Sequence, residues 1–284
     1  MGIIFGLGAA LFWGLGDFAI TTLARYVGSA RSLLYIQIFS LASWVVLLAV
    51  FPHDLGRDVN PWLIAALAGV FHVIGLATTY RAFEIGTLSF VSPIASSFAI
   101  VVVLLTVATG KGPAMIALVG TVLLVAGIVI VTRSTPSEGP VTLRGMPEAI
   151  ASAVGFGVMF WLIDGYVKEP LGDVYPLILL KLMATIFAAG YVARSPSPDS
   201  AEKPSASKLA IMALAAALLD TAAWICALFG YRAGHVAVVT ALASLFSVVT
   251  VVLAGVFLRE RLNRLQWLGV GVVLGGVLLV SLPK

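Results

Sequence analysis

The side chains able to carry charge or exchange protons inside this chain are few, and they stand within long apolar runs: Asp17, His72, Lys181 and Asp220. Carboxylates at such positions can hold an ammonium group or a proton, and a buried lysine can hold a carboxylate. A histidine titrates near ~6.5 in water and can pass protons at physiological pH. An ionisable group within a membrane-spanning segment is costly, so it faces the protein interior and marks a functional position by default. The residues around each one are small or aromatic. Asp17 lies one helical turn past Trp13, between Gly14, Gly16 and an apolar continuation. Glycines there allow a close helix contact or a local distortion.

Each of these groups admits two readings. His72 and Asp220 occupy matching mid-segment positions in the two halves of the chain, as shown below. They form either a helix–helix hydrogen bond holding the halves together or a proton-linked or substrate-binding pair. Lys181 stands at nearly the same depth as Gln37 of the other half. It serves a substrate carboxylate or a gating pair, or else a structural partner reached along its four methylenes. Asp17 accepts a substrate ammonium or pairs with Arg25 two turns on. Asp164 falls near the end of its segment and reads as interfacial.

Neutral polar groups add two stripes. Ser89, Ser92 and Ser96 recur at i, i+3, i+7 and share one helical face. Thr240, Ser244 and Ser247 repeat this at i, i+4, i+7. Pro93 interrupts the first stripe and frees backbone carbonyls. Two such stripes fit either a cavity wall or close packing of small residues. Among the aromatic residues, Trp62 and Trp267 lie at segment ends, where the amphipathic indole anchors to the interface. Trp13, Trp161, Trp224 and Tyr80 lie deeper, as a pocket lining or as core. The candidate substrate-binding set is therefore Asp17, His72, Tyr80, Ser96, Trp161, Lys181, Asp220, Trp224 and Ser244.

The elements that must position these residues are membrane spans. The chain has 284 residues, 61% hydrophobic and 11% charged, whereas soluble domains carry about 25% charged residues. Crossing the hydrocarbon core takes ~20 apolar residues. Ten segments qualify: 2–24, 32–51, 62–80, 88–108, 114–132, 145–166, 174–193, 209–230, 236–258 and 265–282. The first has no basic leading region and is too long for a signal sequence, so it reads as a retained span. Two longer connections, 133–144 and 194–208, are rich in Pro, Ser and charge; neither has room for an ATPase or catalytic module. Spans 5 and 10 carry almost no polar atoms but have paired glycines, Gly120/Gly127 and Gly269/Gly276. They read as a packed scaffold pair away from the pore.

Sliding the sequence by 148 residues places Gly86 on Gly234, Ser92 on Thr240, Ala95 on Ala243, Ser96 on Ser244 and Phe98 on Phe246. The chain is thus expected to be an all-α polytopic membrane protein of ten helices in two repeats, residues 1–133 and 145–284, joined by a linker at 134–144. Five spans per repeat is an odd number, so copies with the same internal fold lie inverted in the membrane. Inverted repeats place a substrate site near the midplane where the copies meet. The expected cavity is lined by spans 1, 3, 4, 6, 8 and 9.

Charge orients the chain. Loops after the odd-numbered spans hold eleven Lys/Arg and the opposite side holds five, which puts the odd-side loops in the cytoplasm and both termini outside it. The net charge of +4 is scattered through short loops and suits an anionic lipid surface; no nucleic-acid partner is expected. The single cysteine, Cys226, excludes an internal disulfide. His53, His72 and His235 give no metal-ligand spacing, and there is no phosphate loop or nucleophile–base motif. No cofactor, metal or enzymatic activity is expected.

The sequence resembles the drug/metabolite transporter superfamily, in particular the ten-span EamA-type permeases of bacteria. Leu11-Phe12-Trp13-Gly14, Tyr231-Arg232-Ala233-Gly234 and Phe257-Leu258-Arg259-Glu260-Arg261, followed by Gln266-Trp267-Leu268-Gly269, carry the resemblance. In that family a Glu usually closes spans 4 and 9. Glu260 fills the second position, whereas Gly112, beside Lys111, stands at the first. The resemblance implies a secondary transporter working by alternating access without ATP in the bacterial inner membrane. On aromatic content and length the closest analogy is to amino-acid exporters of the YddG type. The expected function is export of small amphiphilic metabolites, amino acids foremost. The expected partners are the lipid bilayer and a small solute such as an aromatic or apolar amino acid, with protons an open option. A channel-like facilitator, or an exporter of drugs or of nucleotide or sugar metabolites, is the alternative.

Overall fold

The computed structural model describes residues 1–49, 58–110, 115–133, 144–194, 205–232, 239, 242–243, 245–260 and 263–280. Among these residues the regular structure is entirely helical. In chain order the helices are α1 (Gly2–Val27), α2 (Ser29–Leu47), α3 (Val59–Ile85), α4 (Leu88–Ala95), α5 (Ala99–Ala108), α6 (Met115–Arg133), α7 (Met146–Leu162), α8 (Lys168–Leu171), α9 (Val174–Arg194), α10 (Ala206–Arg232), α11 (Phe246–Phe257) and α12 (Arg264–Val280). Span 4 is α4 and α5 joined by a 3₁₀ turn at Ser96–Phe98. Span 6 is α7 and α8 joined by a π turn at Ile163–Val167. Seven of these units are long and apolar enough to cross a membrane, and shorter apolar helices within α6, α11 and α12 occupy the places of spans 5, 9 and 10.

Packing follows the inverted repeat. α1 packs on α10, and its counterpart α7 packs on α3. α2 meets α9, its own counterpart; α6 meets α12 likewise. α1 also contacts α11, as α7 contacts α4 and α5. Exchanging span n for span n+5 reproduces every one of these pairings. The sense of the chain is opposite in the two copies: the C-terminal end of α11 reaches the N-terminal end of α4, its counterpart, through Glu260.

One matched pair of close contacts shows how finely the copies correspond. A Cβ on Gly14 would lie 2.5 Å from Val249 Cβ and 2.8 Å from the Phe246 carbonyl oxygen. A Cβ on Gly157 would lie 2.5 Å from Val101 Cβ and 2.7 Å from the Phe98 carbonyl oxygen. Phe98 and Val101 are the 148-residue counterparts of Phe246 and Val249. At each crossing a glycine lets two backbones approach to a distance that any side chain would forbid, the usual device for helix association in lipid. The α6–α12 contact uses Gly127 in the same way, with a Cβ there 2.7 Å from Val273 N.

The break in span 4 has a local cause. Pro93 cannot donate within the helix, and the chain tightens into the 3₁₀ turn that follows it. Ser96 and Ser97 turn their hydroxyls back onto the carbonyls of Pro93 and Ile94, at 2.9 Å and 2.6 Å. Span 9 tightens at the matching place without a proline: Leu245 N donates to Leu242 O and Val248 N to Leu245 O, both at three-residue spacing. Spans 3 and 8 are longer than the apolar runs suggest. α3 continues five residues past Tyr80, and its last turn carries an Arg81–Glu84 pair at 3.0 Å.

Candidate substrate site

The site grows from one buried ion pair. Lys181 in the middle of α9 donates to Asp220 Oδ2 of α10 at 2.6 Å. Only 3% of the lysine side chain is exposed, against 22% of the aspartate. Asp220 Oδ2 also accepts from Ser40 Oγ of α2 at 3.3 Å. Two groups considered separately as partners for a solute are thus partners of each other. Ser40 belongs to a buried face of α2 formed by Gln37, Ser40 and Trp44 at i, i+3, i+7. Gln37 hydrogen-bonds the Tyr80 hydroxyl of α3. Its carbonyl oxygen, like Trp44 Nε1, has no partner among the described residues.

His72 packs edge-on against Phe156, with ring centroids 5.9 Å apart, and stands within electrostatic reach of Lys181. Neither of its ring nitrogens meets a hydrogen-bond partner among the described residues. His72 and Asp220 are therefore equivalent in the repeat but not joined: the aspartate has taken the lysine. Two turns farther along α3, a short hydroxyl pair, Thr79 with Ser152, joins spans 3 and 6.

Asp17 forms the second focus. Its Oδ2 lies 3.4 Å from Ser92 Oγ of α4 and 3.3 Å from Thr250 Oγ1 of α11. It is close enough to Asp220 for the two charges to act on each other. The alternative pairing with Arg25 does not form. Arg25 instead donates to Gly86 O at 3.1 Å and to Glu260 Oε1 at 3.3 Å. Glu260 in turn accepts from Leu88 N at 3.0 Å, Ser89 N at 2.8 Å and Ser89 Oγ at 2.7 Å. A carboxylate on the free N–H groups of a helix start is favoured by hydrogen bonding and by the helix dipole. The glutamate that closes span 9 is therefore the cap of span 4.

Aromatic rings adjoin the two foci. Trp13 meets Trp224 edge-on at 5.4 Å and Phe246 at 6.3 Å. Phe160 lies 6.2 Å from Trp224 and 5.0 Å from Phe98. Spans 1, 4, 6, 8 and 9 all contribute. Trp161 is not in this group; it stacks edge-on against Tyr166 at 5.3 Å, beside the π turn. Successive helical residues point roughly 100° apart, so Phe160, not its neighbour, faces Trp224.

The serine stripes divide among different tasks. Ser89 belongs to the Glu260 cap, Ser92 to Asp17, and Ser96 to the carbonyl of Pro93. Ser247 is wholly buried with no hydrogen-bond partner among the described residues. Thr240 and Ser244 lie outside the described residues. Sequence reasoning missed Ser40, Thr250 and Phe160. Signals for the first two were present: Ser40 follows Gln37 by three residues, and Thr250 is the next step of the stripe Thr240, Ser244, Ser247.

An all-helical bundle of long apolar helices with inverted pairing and an ion pair at its centre defines a polytopic membrane protein. The chain belongs to the EamA-like transporter family, which matches residues 1–133 and 143–282. It is thus a multi-pass membrane protein of a non-enzymatic transporter family in the drug/metabolite superfamily. Among solved structures, one crystal structure superposes with a TM-score of 0.63 at 15% identity, covering 98% of this chain and 95% of that one. This likeness concerns the fold alone. No curated protein matches the sequence.

Proposed function

We propose that the protein is a secondary transporter that exports small zwitterionic, amphiphilic metabolites, amino acids foremost, from the bacterial cytoplasm by alternating access. The observation that carries this reading is the Lys181–Asp220 pair, held at 2.6 Å beside the carboxylate of Asp17 and the Trp13–Trp224 cluster. A zwitterion leaves water only if both charged ends find partners, because an unpaired buried charge is costly. An α-amino acid can open the pair and satisfy both sides at once. Its ammonium takes Asp220, and its carboxylate takes Lys181. The exchange leaves no charge stranded, so the pair serves as a stand-in for the solute when the site is empty.

The other candidate residues take supporting roles. Asp17 adds negative charge on the ammonium side; Trp224 offers apolar surface to the solute body, and Tyr80, wholly buried, holds Gln37. His72, whose nitrogens have no hydrogen-bond partner among the described residues, is placed to meet a carboxylate or exchange a proton. Ser96, Ser244 and Trp161 complete the proposed set. Residues 1–133 and 145–284 are the two bodies that rock about this site, sliding at the Gly14 and Gly157 crossings. An aromatic or apolar side chain suits the ring cluster, in keeping with exporters of the YddG type.

Counterflow in proteoliposomes tests the proposal. Asp220→Asn and Lys181→Ala, each normalised to folded protein, are expected to lower exchange of labelled amino acids at least several-fold. Unimpaired counterflow in both variants would leave these charges only a structural role. A rate that does not change between about pH 5 and 8, across the ordinary histidine range, would remove coupling through protons.

A further inference from the structure

The charged side chains at the centre do not cancel, and both carboxylates keep some exposure: Asp17 is half-buried and 22% of the Asp220 side chain is exposed. Asp17 and Asp220 are two carboxylates, and Lys181 is the cation paired with one of them. Asp17 makes no ion pair among the described residues; its contacts there are the hydroxyls of Ser92 and Thr250. A half-buried carboxylate with no ion-pair partner among the described residues attracts a cation or a proton, and the spacing of the oxygens around Asp17 suits a cation.

Ordinary O–H···O bonds to a carboxylate are short, about 2.5–3.0 Å. Here the Ser92 hydroxyl is 3.4 Å and the Thr250 hydroxyl 3.3 Å from Asp17 Oδ2, and Thr250 Oγ1 is 3.5 Å from Gly14 O. These separations are long for hydrogen bonds. They match the edges of an oxygen shell around a hard cation: donors at about 2.3–2.6 Å from the ion, set at right angles, lie ~3.3–3.7 Å apart. Thr250 also has a better acceptor for its proton than the carboxylate, Phe246 O at 3.0 Å. With the proton turned there, the hydroxyl lone pairs are free to face an ion. One turn earlier on the same face of α11, Ser247 is wholly buried with a hydroxyl that has no partner among the described residues. A second hard donor is thus within the same stripe.

We infer that Asp17, Ser92 and Thr250, with the Gly14 carbonyl at the edge, form a binding site for a monovalent cation, sodium by size. Charge selects the valence. One carboxylate is neutralised by one positive charge, whereas a divalent ion would leave an unmatched charge at the same half-buried site. The donors come from span 1, span 4 and span 9, so a bound ion ties the first repeat to the second. Occupation also removes the repulsion between Asp17 and Asp220 and leaves Asp220 to its lysine or to a solute ammonium. Sodium is then the coupling ion of the carrier, and its binding is readable without any solute, separately from the transport reading above.

The test is sodium binding by the purified full-length protein in detergent, followed by tryptophan fluorescence and by melting temperature. Trp13 lies one turn from Asp17 and serves as the reporter. NaCl is titrated against choline chloride at constant ionic strength and fixed pH, with KCl in parallel. The expected result is a saturable fluorescence change and a rise in melting temperature with Na⁺, with half-saturation at least ~10-fold higher for K⁺. Thr250→Val is expected to raise the half-saturating Na⁺ concentration about tenfold. Ser92→Ala acts in the same direction, and Asp17→Asn abolishes the response while remaining folded by melting. Equal responses to Na⁺, K⁺ and choline, or a full response in both Asp17→Asn and Thr250→Val, would overturn the site. A response to pH alone, unaffected by Na⁺, would assign Asp17 to a proton instead and equally overturn it.

Discussion

Removing one member of the Lys181–Asp220 pair should cost far more than removing both. Asp220→Asn leaves a lysine ammonium with 3% of its side chain exposed and no carboxylate at 2.6 Å. Stranding one ion of a buried pair costs about 3–5 kcal/mol, and the depth of Lys181 places this variant at the upper part of that range. Lys181→Met strands Asp220, which keeps Ser40 as a donor and 22% of its side chain exposed; a loss of about 2–3 kcal/mol follows by the same reasoning. The double variant Asp220→Asn/Lys181→Met buries no charge, and such replacements are often close to neutral, so its loss is about 1 kcal/mol. The coupling between the two positions is then roughly 5–7 kcal/mol in favour of the double variant. For a chain of this length about 2–4 °C of melting temperature accompanies each kcal/mol. The single variants should therefore melt several degrees below the double. The assay is thermal unfolding in detergent, read by a thiol-reactive fluorophore at the single cysteine, Cys226. A double variant that loses the sum of the two singles would refute the pair as a buried, mutually dependent unit. If the double variant recovers its stability but not its transport, the pair is needed for the solute as well as for the fold.

Three further outcomes follow from the packing and the loop charges. Gly14→Ala and Gly157→Ala should each cost about 1–3 kcal/mol by overpacking, with similar values because the two sites face equivalent backbone and valine atoms; thermal melting checks this. Glu260→Gln should lower stability by about 1–2 kcal/mol, because a charged cap with two backbone N–H groups and a serine hydroxyl becomes a neutral one; a matched Glu84→Gln control should change melting less. A cysteine placed at Ser200 should resist membrane-impermeant thiol reagents in intact cells, since the eleven-to-five Lys/Arg bias puts that loop in the cytoplasm. Rapid labelling from outside would reverse the orientation.

Much of the fold was legible because lipid makes strong demands. Apolar runs of sufficient length must be helices, and an odd-numbered repeat with a common fold must be inverted. The close contacts at Gly14 and Gly127 were visible as glycines within apolar runs. Partnerships were less legible. Nothing along the chain told Asp220 to choose Lys181 over His72, since that choice depends on how α9 and α10 lean together. Nor could spacing say that Glu260 would reach across to Leu88 and Ser89, or that rotation of α7 would bring Phe160 to Trp224 and carry Trp161 toward Tyr166. Such choices are set by how each helix is rotated and tilted against its neighbours, and that belongs to packing.

The central claim is that the buried pair and its aromatic surround recognise a zwitterion. Counterflow by the wild-type protein in proteoliposomes, with labelled amino acids, sugars and nucleotides in parallel, tests it most directly. The account predicts saturable exchange of amino acids with aromatic or large apolar side chains, competed by their unlabelled forms and weak for analogues lacking either the ammonium or the carboxylate. Saturable exchange of sugars or nucleotides with none for any amino acid, or equal exchange of the amine-free analogues, would contradict it.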